Sequence, residues 1–360
     1  MKKIKVLYTI PNFDTAGSGK VLYDLAKGLD AAKFEVMIAC SNGKGSFFEE
    51  VEKLGFPIFI RPITKPLKPY YSLLFRLKEN IHFIKKNKID IVHSWHWSSD
   101  WTEVLAARLG GAKFVYTKKA MTWGNIHWKI KSYLSNFIIT INEEMKNYFP
   151  SKKAQKLIPL GLDANYYSPE FFPRKDSTIF KIITVANLVP VKGIEVLIKA
   201  IQMLNNSNIH LEILGDDRAE YASKLKKIVL DLGLQNQIVF LGKHNDVRPF
   251  LTQADLYVIP TLDEGRKEGM PMALVEAMCM ANPVLGSNIS GINYVLKDFP
   301  EFLFQAKNEK ELSEKINDIF HKTRNERKEI GDKLRHYCVA HFSYEKFIAA
   351  HEQLYTKLVK

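Results

Sequence analysis

Thirteen short apolar runs alternate with helical patterns from one end of the chain to the other, and that alternation leaves few folds open. In the first half the runs are Ile4–Ile10, Phe34–Ala39, Ile58–Ile60, Ile89–His93, Phe114–Thr117, Phe137–Ile141 and Leu157–Leu160. In the second they are Phe180–Ala186, Ile209–Gly215, Ile238–Gly242, Leu256–Pro260, Val284–Ser287 and Phe302–Phe304. A strand covered on both faces needs an unbroken apolar run, and helical crossovers between such strands make their sheet parallel. The series stops and restarts across the aromatic, proline-containing segment Asp163–Ser177, which reads as a hinge. At 360 residues, 46% of them hydrophobic, the chain suits two α/β cores better than one.

No run approaches the ~18–20 apolar residues that a membrane-spanning helix needs. The opening MKKIKVLYTI is expected to be a buried first strand, because Pro11, Asn12 and Asp14 end it too early for a signal peptide. Cys40, Cys279 and Cys338 have neither metal nor redox spacing and are expected as small core residues of a cytoplasmic protein. Lys and Arg outnumber Asp and Glu by 52 to 39, a net +13 that calls for an anionic partner: a phosphate-bearing ligand, an acidic membrane or nucleic acid.

The densest chemistry lies in Thr261–Ser287, TLDEGRKEGMPMALVEAMCMANPVLGS. The run ending at Pro260 feeds a loop carrying Asp263, Glu264, Arg266, Lys267 and Glu268, and Gly269-Met270-Pro271 then opens a helix. Proline suits a first helical turn, so the helix is expected from about Met270, its free N–H groups and positive dipole end facing the loop, ready for phosphate. Between Met270 and Ala281, Glu276 is the only charge on an otherwise apolar helix. A buried carboxylate needs compensation. Either it pairs with a neighbouring Lys or Arg, or it accepts hydrogen bonds from a ligand diol such as a ribose.

Glu268-Gly269-Met270-Pro271, Leu274, Glu276-Ala277-Met278 and Pro283-Val284 together resemble the signature of retaining glycosyltransferase family four, a Glu, seven residues, and a second Glu. The resemblance covers nearly the whole chain. It implies a GT-B architecture, two Rossmann-like domains facing each other across a cleft: 1–165 on the acceptor side, 178–341 for the nucleotide sugar, and a final helix in 342–360 returning to the first domain. It further implies that Glu268 faces the donor sugar, that the backbone of Gly269, Met270, Pro271 and Met272 holds diphosphate and sugar, and that Glu276 binds the ribose.

Other motifs take their roles from the same resemblance. Gly17-Ser18-Gly19-Lys20 fails as a Walker motif, because Val21 stands where Ser or Thr should hold magnesium, and as a dinucleotide fingerprint. It resembles the family's glycine-rich loop instead, with Gly17 toward the donor phosphate. Val185 to Gly193 delivers Lys192 to a helix start, where its ammonium and the helix amides neutralise a leaving diphosphate; without the neighbouring motif it reads as a solvated lysine. Asn187 stands where many relatives carry Arg. Gly215, after another strand, admits a ligand to the backbone, Arg218 is a reserve cation, and Lys243 lies where the family holds the base. His93, His96 and Lys119 fall on the acceptor side, Lys119 replacing a frequent His. Trp123, Trp128, Lys129 and Lys131 read equally as a loop packed on its own tryptophans or as acceptor contacts.

The sequence is therefore read as an enzyme that moves a sugar from a nucleotide diphosphate donor to an acceptor hydroxyl in bacterial cell-surface polysaccharide or glycolipid synthesis. Glu268 and Lys192 are its catalytic residues, and neither cofactor nor metal is expected. A UDP-sugar is favoured over a GDP-sugar as co-substrate, and the acceptor is a carbohydrate or lipid-linked. A nucleotide-sugar epimerase of the same fold is the alternative, and a silent partner subunit is disfavoured by the intact Glu268, Lys192 and Glu276. No nucleic-acid-binding motif accompanies the charge, so nucleic acid is not expected as a partner. Between Lys65 and Lys88 seven Lys and Arg face a single acid, Glu79, while Tyr70, Tyr71, Leu74, Phe75, Leu77, Ile81 and Ile84 recur at helical spacing. That pattern fits a helix lying on an anionic membrane surface, which would make the protein peripheral on the inner face; it fits equally a domain helix with solvated lysines.

Overall fold

The computed structural model describes residues 2–13, 16–121, 123–265 and 268–360; Asp14 and Thr15 of the first loop, and Arg266 and Lys267 of the charged loop, lie outside them. The chain divides into two compact units, residues 1–161 with 344–360, and residues 162–343.

In the first unit the strands are β1 (Ile4–Ile10), β2 (Phe34–Cys40), β3 (Ile58–Ile60), β4 (Ile91–Ser94), β5 (Lys113–Lys118), β6 (Phe137–Thr140) and β7 (Gln155–Leu157). They form one parallel sheet in the order β3-β2-β1-β4-β5-β6-β7. Val6, Leu7, Ile38, Val92, Phe114 and Ile138 are buried, as apolar runs covered on both faces must be. The last strand is displaced toward the N-terminus from the expected Leu157–Leu160, since Pro159 has no N–H with which to extend the ladder. The final helix, Tyr344–Val359, packs on this unit: the Tyr355 hydroxyl lies 3.1 Å from that of Tyr8 and 2.6 Å from His93 Nδ1.

The second unit repeats the scheme with β8 (Phe180–Val185), β9 (Ile209–Leu214), β10 (Ile238–Gly242), β11 (Leu256–Ile259), β12 (Val284–Ser287) and β13 (Leu303–Phe304), all parallel in the order β10-β9-β8-β11-β12-β13. Ile182, Leu197, Ile213, Leu256, Val258 and Leu285 form its core with the flanking helices. The segment read as a hinge is tied to this unit: Arg335 donates to the carbonyls of Ala164 at 3.1 Å and Tyr167 at 2.7 Å, and Arg174 pairs with Asp255 at 2.6 Å. Among the described residues no helix is long and apolar enough to cross a membrane.

Two helix starts differ from expectation. The first helix begins at Ala16, so Gly17, Gly19 and Lys20 sit in its opening turns instead of in a loop. The signature helix is Met272–Cys279, two residues later than read. Pro271 keeps its fixed φ (−78°) but takes an extended ψ of 104°, and its carbonyl accepts from the N–H groups of Leu274 and Val275 at 3.1 and 3.3 Å. It is the residue before the helix, because the first turn closes on it.

Candidate active site

In an open parallel sheet a ligand crevice forms at the carboxyl ends of the two adjacent strands whose connections leave in opposite directions. In the second unit these strands are β8 and β11. The loops leaving them carry Lys192 and Glu268. The β8 loop turns through Pro190–Lys192 and then Gly193, at φ 61°, a left-handed conformation that disfavours any side chain. A Cβ on Gly193 would also stand 2.3 Å from the Pro260 carbonyl oxygen. The Leu262 N–H donates to the Val191 carbonyl at 2.8 Å. So joined, the two loops bring the Lys192 ammonium into contact with the Glu268 carboxylate, each side chain about a fifth exposed.

The floor beneath Glu268 is equally constrained. Gly291, in the short helix Ser290–Val295, faces the Glu268 carbonyl so closely that a Cβ would come within 2.4 Å of its oxygen. Glu276 lies half-buried on the signature helix, and its carboxylate adds to burial in pushing the Tyr257 phenol well up. The Tyr257 hydroxyl and the Thr261 hydroxyl, both on the β11 side, are buried without a hydrogen-bond partner among the described residues. Gly269, Met270 and Pro271 are buried and Met272 half-buried.

The remaining donor-side candidates are more dispersed. Asn187 and Lys243 are exposed. Gly215 is required by the chain's own packing, since a Cβ there would meet the Ala186 carbonyl oxygen at 2.1 Å. Arg218 is folded onto Asp216 through Nε at 2.8 Å and Nη2 at 2.6 Å and is largely exposed, so it does not join Lys192. In the first unit Gly17 has nothing within 4 Å of where a Cβ would stand.

The acceptor-side candidates resolve unequally. The corresponding crevice of the first unit opens between β1 and β4. His93 is not at its surface: it is fully buried, with Nδ1 on Tyr355 and Nε2 on Thr117 Oγ1 at 2.7 Å, and burial holds its imidazolium well below the usual range. With both ring nitrogens engaged, the His93 imidazole is part of the core beneath that crevice. His96 retains a sliver of exposure, and burial lowers its pKa against the pull of Glu103. Lys119 donates to the Trp95 carbonyl and stands over the rings of Trp95 and Trp97 at 5.2 and 5.3 Å.

Sequence reasoning missed the charge at the centre of this crevice. Glu103, on the helix Thr102–Leu109, is fully buried and accepts from Thr9 Oγ1 at the end of β1 and from Ser94 Oγ, 2.6 Å, at the end of β4. The buried Lys131 ammonium donates to the Ser98 carbonyl at 3.1 Å and lies 4.5 Å from the Tyr116 ring. Burial lowers its pKa, and Glu103 and Asp100 oppose that. The available signal was a hydroxyl residue at the end of each of the two strands, Thr9 and Ser94. Both tryptophans pack on their neighbours: Trp128 is buried beneath the Lys118 ammonium at 3.8 Å, and the half-buried Trp123 stacks on Tyr148 at 5.8 Å. Among the described residues no three His, Cys, Asp or Glu stand together to hold a metal ion.

Two family models match the chain in succession, Glycosyltransferase Family 4 over residues 15–165 and Glycosyl transferases group 1 over residues 170–337. The chain belongs to glycosyltransferase family four. Its relatives include the capsular polysaccharide biosynthesis glycosyltransferase CapH of Staphylococcus aureus, 25% identical over 82% of this chain and 85% of that one. A UDP-Gal:alpha-D-GlcNAc-diphosphoundecaprenol alpha-1,3-galactosyltransferase of Escherichia coli is 26% identical over 62% of this chain and 64% of its own. Among solved structures, a Rickettsia africae glycosyltransferase superposes with a TM-score of 0.87 at 19% identity, covering all of both chains. Anabaena HepE in complex with UDP and glucose gives 0.83 at 17%, covering 98% and 99%. The fold is GT-B, and the protein is a glycosyltransferase; the epimerase alternative finds no support in these relatives.

Proposed function

We propose that this glycosyltransferase takes a sugar from UDP, with retention of anomeric configuration, and places it on a hydroxyl of a carbohydrate or lipid-linked acceptor during bacterial surface polysaccharide or glycolipid synthesis. The observation that carries the proposal is the meeting of Lys192 and Glu268 at the β8/β11 crevice. Such a partly exposed pair contributes only about 1 kcal/mol, so a ligand can displace it cheaply. A diphosphate then takes the ammonium and the sugar hydroxyls take the carboxylate, while Glu276 accepts from the ribose. In transfer the bond from the anomeric carbon to the diphosphate oxygen breaks, the bond to the acceptor oxygen forms on the same face, and the acceptor proton passes to the departing diphosphate. Charge grows on that diphosphate as the bond stretches, and Lys192 with the amides opening the Met272–Cys279 helix stabilises it most at that moment. The UDP complexes of HepE and the UDP-Gal relative support the choice of nucleotide.

The acceptor reading draws on the helix Leu73–Lys86. Its expected apolar face divides: Leu73, Leu77, Phe83 and Ile84 are spent on the core, whereas Tyr70, Tyr71, Leu74 and Phe75 stand 54 to 93% exposed at its N-terminal end. An aromatic tip among lysines suits an anionic membrane surface, where a lipid-linked acceptor would be presented and where each basic residue contributes about 1 kcal/mol. The test is to incubate the protein with a panel of nucleotide sugars and follow nucleotide release with and without a membrane extract. UDP release that needs the extract supports the whole reading. Conversion of the sugar nucleotide without any acceptor overturns it.

A further inference from the structure

The exposed stripe of the helix Leu73–Lys86 leads to a cavity that the transfer reaction does not use. It measures about 530 Å³ and is lined by Arg61, Pro62, Lys65, Glu79, His82, Phe83 and Lys86. It lies beside β3, the edge strand two places from β1, roughly 10 Å across the sheet from the β1/β4 crevice. We propose that this cavity binds the phosphomonoester headgroup of a membrane lipid, so that the first unit docks on a lipid of particular chemistry as well as on a negative surface.

Three features point there. The Arg61 guanidinium is held in advance: Nη2 donates to Asn80 Oδ1 at 2.8 Å, and the group lies 4.5 Å from the Phe83 ring. Asn80 is itself fully buried and fixed by donating to the Ile63 carbonyl at 2.7 Å. A planar cation so oriented, its Nε buried, offers its remaining Nη N–H groups to phosphate oxygens as a fixed fork, which a mobile lysine cannot do. Formal charge comes second: Arg61, Lys65 and Lys86 against Glu79 leave an excess of two positive charges, the complement of a dianionic monoester and more than a singly charged diester needs. Glu79 is 3.6 Å from the Lys65 ammonium and mostly exposed, so it holds Lys65 loosely. The third is placement. Phe75, Glu79, His82 and Lys86 follow one another at helical spacing on one outward stripe, which sets the exposed Phe75 about 10 Å along the axis from His82. With Tyr71 and Phe75 at the acyl boundary, the cations beyond them reach the depth of the phosphates.

The inference rests on the membrane reading above, and the test separates the two. Flotation of the full-length protein is compared on phosphatidylcholine vesicles doped with phosphatidic acid and, at matched surface potential, with phosphatidylglycerol. Wild type should prefer phosphatidic acid by roughly tenfold or more, and glycerol 3-phosphate should compete weakly. Lys65→Ala, at a side chain a quarter exposed, with Lys86→Ala on the surface should abolish the preference, as should Arg61→Lys, which keeps the charge but loses the fork. Tyr71→Ser with Phe75→Ser should weaken binding to both vesicles and leave their ratio. Equal binding to the two lipids, or a preference that survives the cavity variants, overturns the headgroup site and leaves the membrane reading standing. Binding to neither vesicle overturns both. Competition by glycerol 3-phosphate as strong as by the lipid would make the ligand a soluble phosphate and overturn the lipid assignment.

Discussion

Gly291→Ala changes a residue that touches no ligand in this account, and the structure fixes what the added methyl would meet. Its carbon would stand 2.4 Å from the Glu268 carbonyl oxygen, 2.8 Å from the carbonyl carbon and 2.9 Å from the Gly269 carbonyl oxygen. Non-bonded carbon contacts settle at about 3.5–4 Å, so a retreat on the order of 1 Å is required. All three atoms are backbone, and no rotamer can make room. Overpacking of this kind costs about 1–3 kcal/mol of stability. A displacement of that size at Glu268, which we propose faces the sugar, should cost on the order of a hundredfold in rate, about 2.7 kcal/mol of barrier. The assay is kcat/KM from nucleotide release, with calorimetric UDP affinity and Tm measured alongside. Turnover should fall about a hundredfold, UDP affinity should change far less because Glu276 sits a helical turn inside the signature helix, and Tm should drop by several degrees. Wild-type turnover in a folded Gly291→Ala protein would refute the claim that the Glu268 backbone position matters to the chemistry.

Lys192→Ala should lower kcat far more than donor affinity, since its target charge grows only as the sugar leaves; chelator should not inhibit the wild type, and inhibition by EDTA reversed by magnesium would contradict the lysine's role. His351 and His93 are fully buried neutral imidazoles whose rings lie 5.7 Å apart. Burial lowers the His351 pKa from the ordinary 6.5 to about 4, so the unfolded chain takes the proton more readily. The stability this represents is intact above pH 6.5 and disappears as pH falls toward 4, a loss of about 3 kcal/mol; His351→Leu should flatten the fall in Tm across that window, and an unaltered fall would remove His351 as its cause. Replacing Lys85, Lys86 and Lys88 with Ala should reduce sedimentation with anionic vesicles at low salt while nucleotide binding stays intact.

The sheets were legible in the sequence because short apolar runs alternate with helical patterns: the inner strands Ile4–Ile10 and Val284–Ser287 keep their bounds in the structure, as do the partly exposed edge strands Ile58–Ile60 and Ile238–Gly242. Helix starts were less so. Pro271 is compatible with a first turn or with the residue before one, and only the ψ of 104° decides. The adjacency of Lys192 and Glu268 is a tertiary fact: 76 residues separate them, and the order of β8 and β11 in the sheet joins them. Glu103 escaped because a single Glu in the first turn of an amphipathic helix usually favours the dipole from the surface, whereas here the carboxyl ends of β1 and β4 draw it inside. The exposed Tyr71, Leu74 and Phe75 could not be told from Leu77 and Ile84 until the sheet showed which side of the helix it covers.

Calorimetric titration of UDP into wild type and Glu276→Gln tests whether the β8/β11 crevice holds the donor nucleotide. UDP should bind the wild type and bind the variant roughly tenfold or more weakly, the loss expected when a charge-assisted hydrogen bond of about 1.5–3 kcal/mol becomes a neutral one, with Tm unchanged. Equal UDP affinity in the two proteins, with the variant melting earlier, would contradict it and make Glu276 a structural ion-pair residue.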